Sequence, residues 1–83
     1  MKVLYFAWLR QHVGAAEEDV EPPADVTTAA GLIDWLVARS PGHAAAFADR
    51  ETVRIAIDQD FAEAEDSIAG AAEVAFFPPV TGG

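Results

Sequence analysis

The chain ends in Glu73-Val74-Ala75-Phe76-Phe77-Pro78-Pro79-Val80-Thr81-Gly82-Gly83. Residues 73–77 are mostly apolar and aromatic, which is typical of a β-strand. Pro78 and Pro79 end that strand, because proline has no amide N–H to donate to a sheet and favours an extended chain. The segment therefore predicts a strand that completes a domain over residues 1–77, followed by a stiff tail over residues 78–83.

Other stretches upstream also have the residue types of β-strands. They are residues 2–7, 17–20, 53–57 and 61–62. Polar residues at Asp58-Gln59-Asp60 predict a turn between the last two of these stretches. The first two are close enough in sequence to pair as an antiparallel hairpin.

The strongest helix signal begins at Thr28, whose hydroxyl can cap the first turn of a helix. Ser40-Pro41-Gly42 predicts the end of that helix. Shorter helical segments are predicted at 8–13, stopped by Gly14, and at 44–47. The apolar residues that recur at helical spacing after Thr28 are Ala29, Leu32, Ile33, Leu36 and Val37.

The predicted order of elements is two strands, a helix and then two or three further strands. This order belongs to the α+β class and favours the ubiquitin-like β-grasp fold: a mixed sheet of four to five strands with one main helix packed across one face. A ferredoxin-like arrangement would need a second full helix late in the chain, and none is evident in the sequence.

A single main helix covers only one face of such a sheet. Because side chains alternate along a strand, the opposite face is predicted to carry apolar residues. Exposed aromatic clusters usually mark protein interfaces, so we predict a partner interface on this face. The alternative is that the short second helix or a loop covers it. The predicted interface residues are Leu4, Phe6, Phe61, Ala75 and Phe77.

Composition narrows the possible functions. The chain has 83 residues and a formal net charge of −9, with no cysteine. It is long enough for one domain with a thin core, and its charge repels nucleic acid and favours a basic partner. Without cysteine it has no disulfide, thiolate nucleophile or sulfur-ligated zinc. The chain therefore has little room or chemistry for a stand-alone enzyme.

The N-terminal sequence has no long apolar run of the kind found in signal peptides. No apolar stretch approaches the ~18 residues of a membrane span. We therefore expect a cytoplasmic protein with no membrane contact.

Side chains that could bind metal are few. His12 and His43 are the only histidines, and no metal-ligand spacing surrounds either one, so we expect solvated or helix-end histidines and no metal site. The acidic run at 17–19 is interpreted as a solvated turn and strand edge; the alternative is that it meets a basic partner. Trp8 could lie in the core or at the rim of the interface.

The Gly82-Gly83 terminus has a chemical use. Glycine has no Cβ, so it passes through narrow channels and leaves its carboxyl group unhindered. Extended, residues 78–83 reach ~20 Å, far enough to enter the active site of a partner. A carboxylate is a poor electrophile, so a partner must activate it before a group can be transferred to it.

The sequence resembles the small subunits of molybdopterin synthase, the MoaD family, over nearly the whole chain. The most specific segment is 73–83; residues 3–10, 28–36 and 55–59 also resemble the family. The chain departs from the family at Asp58, which is often Asn, and at 70–73, where Gly-Asp-Glu is usual. The lost acid in the second segment is expected to weaken a turn or one contact with the partner.

The resemblance implies a function. A MoeB-like activating enzyme uses ATP and Mg to adenylate Gly83, sulfur replaces the adenylate, and the resulting thiocarboxylate is the sulfur donor. Pro78, Pro79, Val80, Thr81 and Gly82 then enter a MoaE-like large subunit, where cyclic pyranopterin monophosphate is sulfurated. The resemblance further implies a heterotetramer with two copies of each subunit, packed through the aromatic positions Phe6, Phe61 and Phe77. No cofactor is bound by this chain itself.

Two rival functions share the predicted fold. A ThiS-like carrier of the thiamine pathway would use the same tail chemistry. A β-grasp interaction module without acyl chemistry would tolerate the loss of Gly82 and Gly83.

Overall fold

Five strands form one mixed sheet in the order β2-β1-β5-β3-β4 in the computed structural model, which describes residues 1–79. Strand β1 pairs parallel with β5, and the other neighbours pair antiparallel. This arrangement, with helices packed across one face, confirms the predicted β-grasp fold. The strands are β1 (Lys2–Tyr5), β2 (Glu17–Asp19), β3 (Arg54–Ile57), β4 (Asp60–Ala62) and β5 (Glu73–Phe77).

Three α-helices and one 3-10 turn lie among these strands: α1 (Trp8–Val13), α2 (Ala29–Val37), α3 (Pro41–Ala46) and the turn at Arg50–Thr52. The predicted cap of α2 is confirmed, because Thr28 Oγ1 accepts a hydrogen bond from the Gly31 amide at 3.1 Å. Gly14 ends α1 in the left-handed conformation, also as predicted.

The segment Ser40-Pro41-Gly42 was wrongly interpreted as only the end of α2. It also starts α3: the Ser40 hydroxyl accepts from the His43 amide at 3.1 Å, and Pro41 occupies the first turn, where its missing N–H costs nothing. Helix α3 is therefore longer at its N-terminus than the predicted 44–47.

The core lies between α2 and the inner face of the sheet. Tyr5 and Phe76 stack with ring centroids 6.3 Å apart, and Phe47 meets Phe76 edge-on at 4.9 Å. Each such buried apolar side chain stabilises the fold by about 1.5–3 kcal/mol. The largest fully buried side chains are those of Val3, Tyr5, Leu9, Leu32, Leu36, Val74 and Phe76.

The first strand is shorter than predicted. It ends at Tyr5 because Ala7 has a positive φ of 53°, which turns the chain into α1. Phe6 nevertheless stays beside β5, since its amide donates to the Phe76 carbonyl at 3.1 Å.

The turn between β3 and β4 depends on Asp58. Asp58 and Gln59 have φ values of 49° and 73°, a conformation that Asp tolerates better than most residues. The Asp58 carboxylate accepts hydrogen bonds from the Ala72 and Glu73 amides at 2.9 and 3.0 Å. This side chain therefore ties the turn to the start of β5, in the segment where the family's usual acid is missing.

Helices α1 and α3 approach each other closely at Gly42. A Cβ at this position would clash with the backbone carbonyl of His12. We expect Gly42→Ala to lower the free energy of unfolding by about 1–3 kcal/mol, as overpacking does elsewhere. Urea denaturation measures this. Gly31→Ala in α2 is the matched control, because its Cβ would make only ordinary contacts; equal stability of the two variants would contradict the prediction.

Candidate functional site

The outer face of the sheet carries a continuous apolar row. Strand register aligns Leu4 with Ala75, Ala75 with Ala56, and Ala56 with Phe61. Phe77 lies one row further along β5, opposite Arg54. Because side chains alternate along each strand, this face is opposite the buried Val74 and Phe76.

Two aromatic residues of this face are strongly exposed. Phe61 is 83% and Phe6 48% accessible, and they are the exposed large hydrophobic residues of the described chain. The rings of Phe61 and Phe77 lie 5.9 Å apart. Together with the half-buried Leu4 and Phe77, they form what we call the aromatic patch: Leu4, Phe6, Phe61 and Phe77. No helix or loop of the described residues buries Phe6 or Phe61.

Ala75 contributes less to this surface than predicted. It lies on the expected face but is only 7% exposed, because it is a small side chain on the central strand between Leu4 and Ala56. Ala75 therefore forms the floor of the aromatic patch. Trp8, whose place the sequence left open, is half-buried and packs against the core.

The tail begins beside the aromatic patch. Strand β5 ends at Phe77, and the half-buried Pro78 and Pro79 follow outside any strand. The remaining predicted tail residues lie outside the described part of the chain: Val80, Thr81, Gly82 and Gly83. Their predicted roles, like the division of the chain at residue 77, stay predictions.

A buried polar network was missed at the sequence level. His43, expected to be a solvated or helix-end histidine, lies within α3 and is only 6% exposed. Its Nδ1 lies 2.7 Å from Ser40 Oγ, and its Nε2 lies 2.9 Å from Glu18 Oε2. The Tyr5 hydroxyl donates to the same Glu18 oxygen at 2.8 Å. The network joins β1, β2 and α3, so Glu18 is not part of a fully solvated strand edge.

The inward position of the Glu18 side chain could have been predicted from side-chain alternation along β2. Glu18 pairs with Val3 in the sheet, so alternation points it to the core face between the exposed Glu17 and Asp19. A carboxylate in that position needs hydrogen-bond donors. Nothing in the local pattern identified His43, because α3 brings it there only through tertiary packing.

The ionisation of this network is set by its surroundings. Burial by itself raises the pKa of Glu18, but hydrogen bonds from His43 and Tyr5, with the positive charge of Arg39, bring the pKa below its ordinary value. Burial, followed by the hydrogen bond to Glu18, raises the pKa of Tyr5 far above its ordinary value. The phenol therefore stays protonated and donates, and the network acts as a structural clamp.

We expect Glu18→Gln to destabilise the fold in a pH-dependent way. Because folding lowers the pKa of Glu18, its carboxylate contributes stability above the unfolded-state pKa, near ~4.3, that is lost as pH falls through the folded-state value. The loss in free energy of unfolding is expected to be about 1–3 kcal/mol at neutral pH and to shrink in acid.

Urea denaturation of wild type and variant across the acid range measures this difference. Glu17→Gln is the control, because Glu17 is exposed and its ion pair with Lys2, at 3.4 Å, is worth little. A difference between wild type and Glu18→Gln that does not change with pH would contradict the prediction.

The described residues offer few other sites. An open cleft of about 690 Å³ lies between α2 and the strands β3 and β4, with Phe61, Arg50 and Arg54 among its lining residues. Arg50 is paired there with Asp34 at 2.6 Å. Within residues 1–79, no three acidic, histidine or cysteine residues gather as a metal site, and no helix is long and apolar enough to cross a membrane.

The sequence profile of the ThiS family matches residues 3–83, almost the entire chain and including its Gly-Gly end. The chain belongs to the ThiS family. The match covers both the β-grasp elements and the segment that carries the predicted acyl chemistry.

Two curated relatives of this ThiS-family chain confirm its resemblance to the small subunits of molybdopterin synthase. It is 37% identical over 83 residues to the molybdopterin synthase sulfur carrier subunit of Escherichia coli K12, covering 100% of this chain and 99% of that protein. The protein of the same name from Haemophilus influenzae is 32% identical with the same coverage.

Solved structures agree on the fold. SAMP1 from Haloferax volcanii superposes with a TM-score of 0.74 at 25% identity, covering 100% of this chain and 98% of that one. A Pyrococcus furiosus protein, provisionally described as molybdopterin converting factor subunit 1, gives a TM-score of 0.75 at 30% identity, covering 95% of each chain.

Proposed function

We propose that this chain is the sulfur-carrier subunit of a molybdopterin synthase. The observation that carries the proposal is the full-length similarity, at 37% and 32% identity, to two proteins with that name. The exposed aromatic patch beside the start of the tail supports it, because a carrier must dock its globular part while its tail enters a partner.

The proposed chemistry takes place at the carboxylate of Gly83. One carboxylate oxygen attacks the α-phosphate of Mg-bound ATP in a MoeB-like activating enzyme, and pyrophosphate leaves. Hydrosulfide then attacks the acyl carbon, AMP leaves with that oxygen, and a thiocarboxylate and a proton remain. The thiocarboxylate is ionised at neutral pH, and its sulfur forms a bond to cyclic pyranopterin monophosphate. Water then hydrolyses the bond between the Gly83 acyl carbon and that sulfur, which leaves the sulfur on the pterin and returns the Gly83 carboxylate.

In this proposal the chain is a carrier and not an enzyme by itself. Its own contribution is a tail that can extend into the active site of a partner. Pro78 and Pro79 stiffen this tail, and Gly82 and Gly83 make its end narrow because they have no side chains. The large subunit supplies the catalytic side chains. The need for ATP fits a cytoplasmic location.

The proposed docking surface for the large subunit is the aromatic patch. Burying exposed aromatic rings at the centre of an interface supplies most of the binding energy in many complexes. We propose two copies of each subunit in the assembled synthase. Phe61 is the expected anchor, because its ring is the most exposed of the patch.

The second candidate is sulfur carriage in the thiamine pathway, which the ThiS-family match favours. Both candidates load sulfur on Gly83, so the acceptor must separate them. The chain loaded with sulfur is mixed either with the molybdopterin synthase large subunit and cyclic pyranopterin monophosphate, or with thiamine thiazole synthase and its substrates. Molybdopterin in the first mixture alone is expected; thiazole product in the second alone would overturn the proposal.

A further inference from the structure

The outer face of the sheet is electrically uneven. At the end of the face away from the tail, register aligns Asp19 with Lys2 and Lys2 with Glu73. Glu17 lies on the same face, opposite Leu4, and its carboxylate pairs with Lys2 at 3.4 Å. Three acidic residues therefore neighbour one lysine on this face, and only one of them is ion-paired with it among the described contacts, so this part of the face keeps an excess of negative charge. We call Glu17, Asp19 and Glu73 the acidic rim.

The opposite end of the face carries a cation beside the tail. Arg54 is exposed and lies opposite Phe77, the last residue of β5. Its guanidinium donates a hydrogen bond to the backbone carbonyl of Glu51 at 3.2 Å, and this uncharged acceptor leaves the positive charge of Arg54 in place. The face thus runs from acidic rim, through the aromatic patch, to Arg54 and the start of the tail.

We infer that the partner surface covering the aromatic patch carries lysine or arginine side chains against the acidic rim. This inference rests on the proposed function, in which that partner is the large subunit. An apolar patch provides binding energy but little orientation, whereas complementary charge steers encounter and fixes register. A basic partner surface at the rim selects the orientation in which the tail, at the other end, points into the partner.

The salt dependence of association separates attraction at the acidic rim from attraction due to the net charge of the chain. The chain has a net charge of −9, so any basic partner gains some long-range attraction from it. Attraction that is local to the rim must exceed this general term and must disappear when the Debye length shrinks to ~3 Å at 1 M salt. Charge pairs at the edge of an interface act mainly on the association rate.

Stopped-flow association with the purified large subunit tests the inference. The rim variant is Glu17→Lys with Asp19→Lys, both exposed positions on the edge strand β2. The control variant is Asp49→Lys with Glu65→Lys, which makes the same change in net charge at exposed positions outside the strands of the sheet. Thermal unfolding of each variant checks that it is folded, and Asp19→Asn alone is the milder substitute.

At low salt the rim variant is expected to associate about 10-fold or more slowly than wild type, and the control variant less than about 3-fold more slowly. The difference is expected to vanish at high salt, with dissociation rates unchanged. Equal association rates for rim and control variants would overturn this inference alone. Failure of the wild-type chain to bind the large subunit would overturn the proposed partner and this inference together.

Discussion

Removing Gly83 is expected to reduce molybdopterin formation at least about 100-fold, because misplacement of a reacting group by ~1 Å already costs a factor of this size. The shortened tail still ends in glycine, so its carboxylate is as unhindered as before. It falls short by one residue, or ~3.3 Å of extended chain. The expected loss of activity therefore comes from the wrong position of the terminal carboxylate and not from a change in its chemistry.

The measurement is the rate of molybdopterin formation with large subunit, activating enzyme, sulfur source and pterin precursor. Binding of the truncated chain to the large subunit, measured separately, is expected to keep most of its strength through the aromatic patch. Glu65→Gln, at an exposed turn outside the strands of the sheet, is the control. Full activity of the chain lacking Gly83 would rule out acyl chemistry at that residue and favour a binding module.

Replacing Phe61 by serine is expected to weaken the complex with the large subunit by at least about 30-fold in Kd, the effect of losing ~2 kcal/mol from a central aromatic anchor. Phe61 is 83% exposed in the free chain, so the free energy of unfolding is expected to change by less than ~0.5 kcal/mol. The two readouts separate an interface residue from a core residue.

Calorimetric titration with the large subunit measures the affinity, and urea denaturation of the free chain measures stability. Phe61→Leu is the conservative control: it keeps an apolar side chain and is expected to lose less affinity than Phe61→Ser. If both variants bind the large subunit with wild-type affinity, Phe61 is not part of the interface. An equal loss of affinity and stability would assign it to the fold.

Most of the fold could be predicted from the alternation of side chains along strands and from helix-capping residues. A period of two along β5 separates its inner residues from its outer ones, and this separation predicts that Ala75 and Phe77 lie on the outer face. Thr28 predicted the start of α2 because a hydroxyl at that position satisfies an otherwise unpaired amide. These are local rules, and they succeed where local structure decides the outcome.

Tertiary packing decided the features that were missed. Ser40-Pro41 fits both the end of one helix and the start of the next, and the start is set by the Ser40 cap together with the packing of α3 against α1. The burial of His43 depends on Glu18, which is distant in sequence and belongs to another element. Ala75 is buried because it lies between two neighbouring strands. The alternation of side chains along β5 predicts which face it is on but not how much of it is exposed.

The most direct test is the intact mass of the chain after incubation with its activating enzyme, Mg-ATP and a sulfur source, beside the same chain lacking Gly83. The proposal predicts a mass gain on the full-length chain equal to the exchange of one oxygen for one sulfur. Fragmentation is expected to assign that gain to Gly83. An unchanged mass, with the activating enzyme shown to be active on another carrier, would contradict sulfur carriage by this chain.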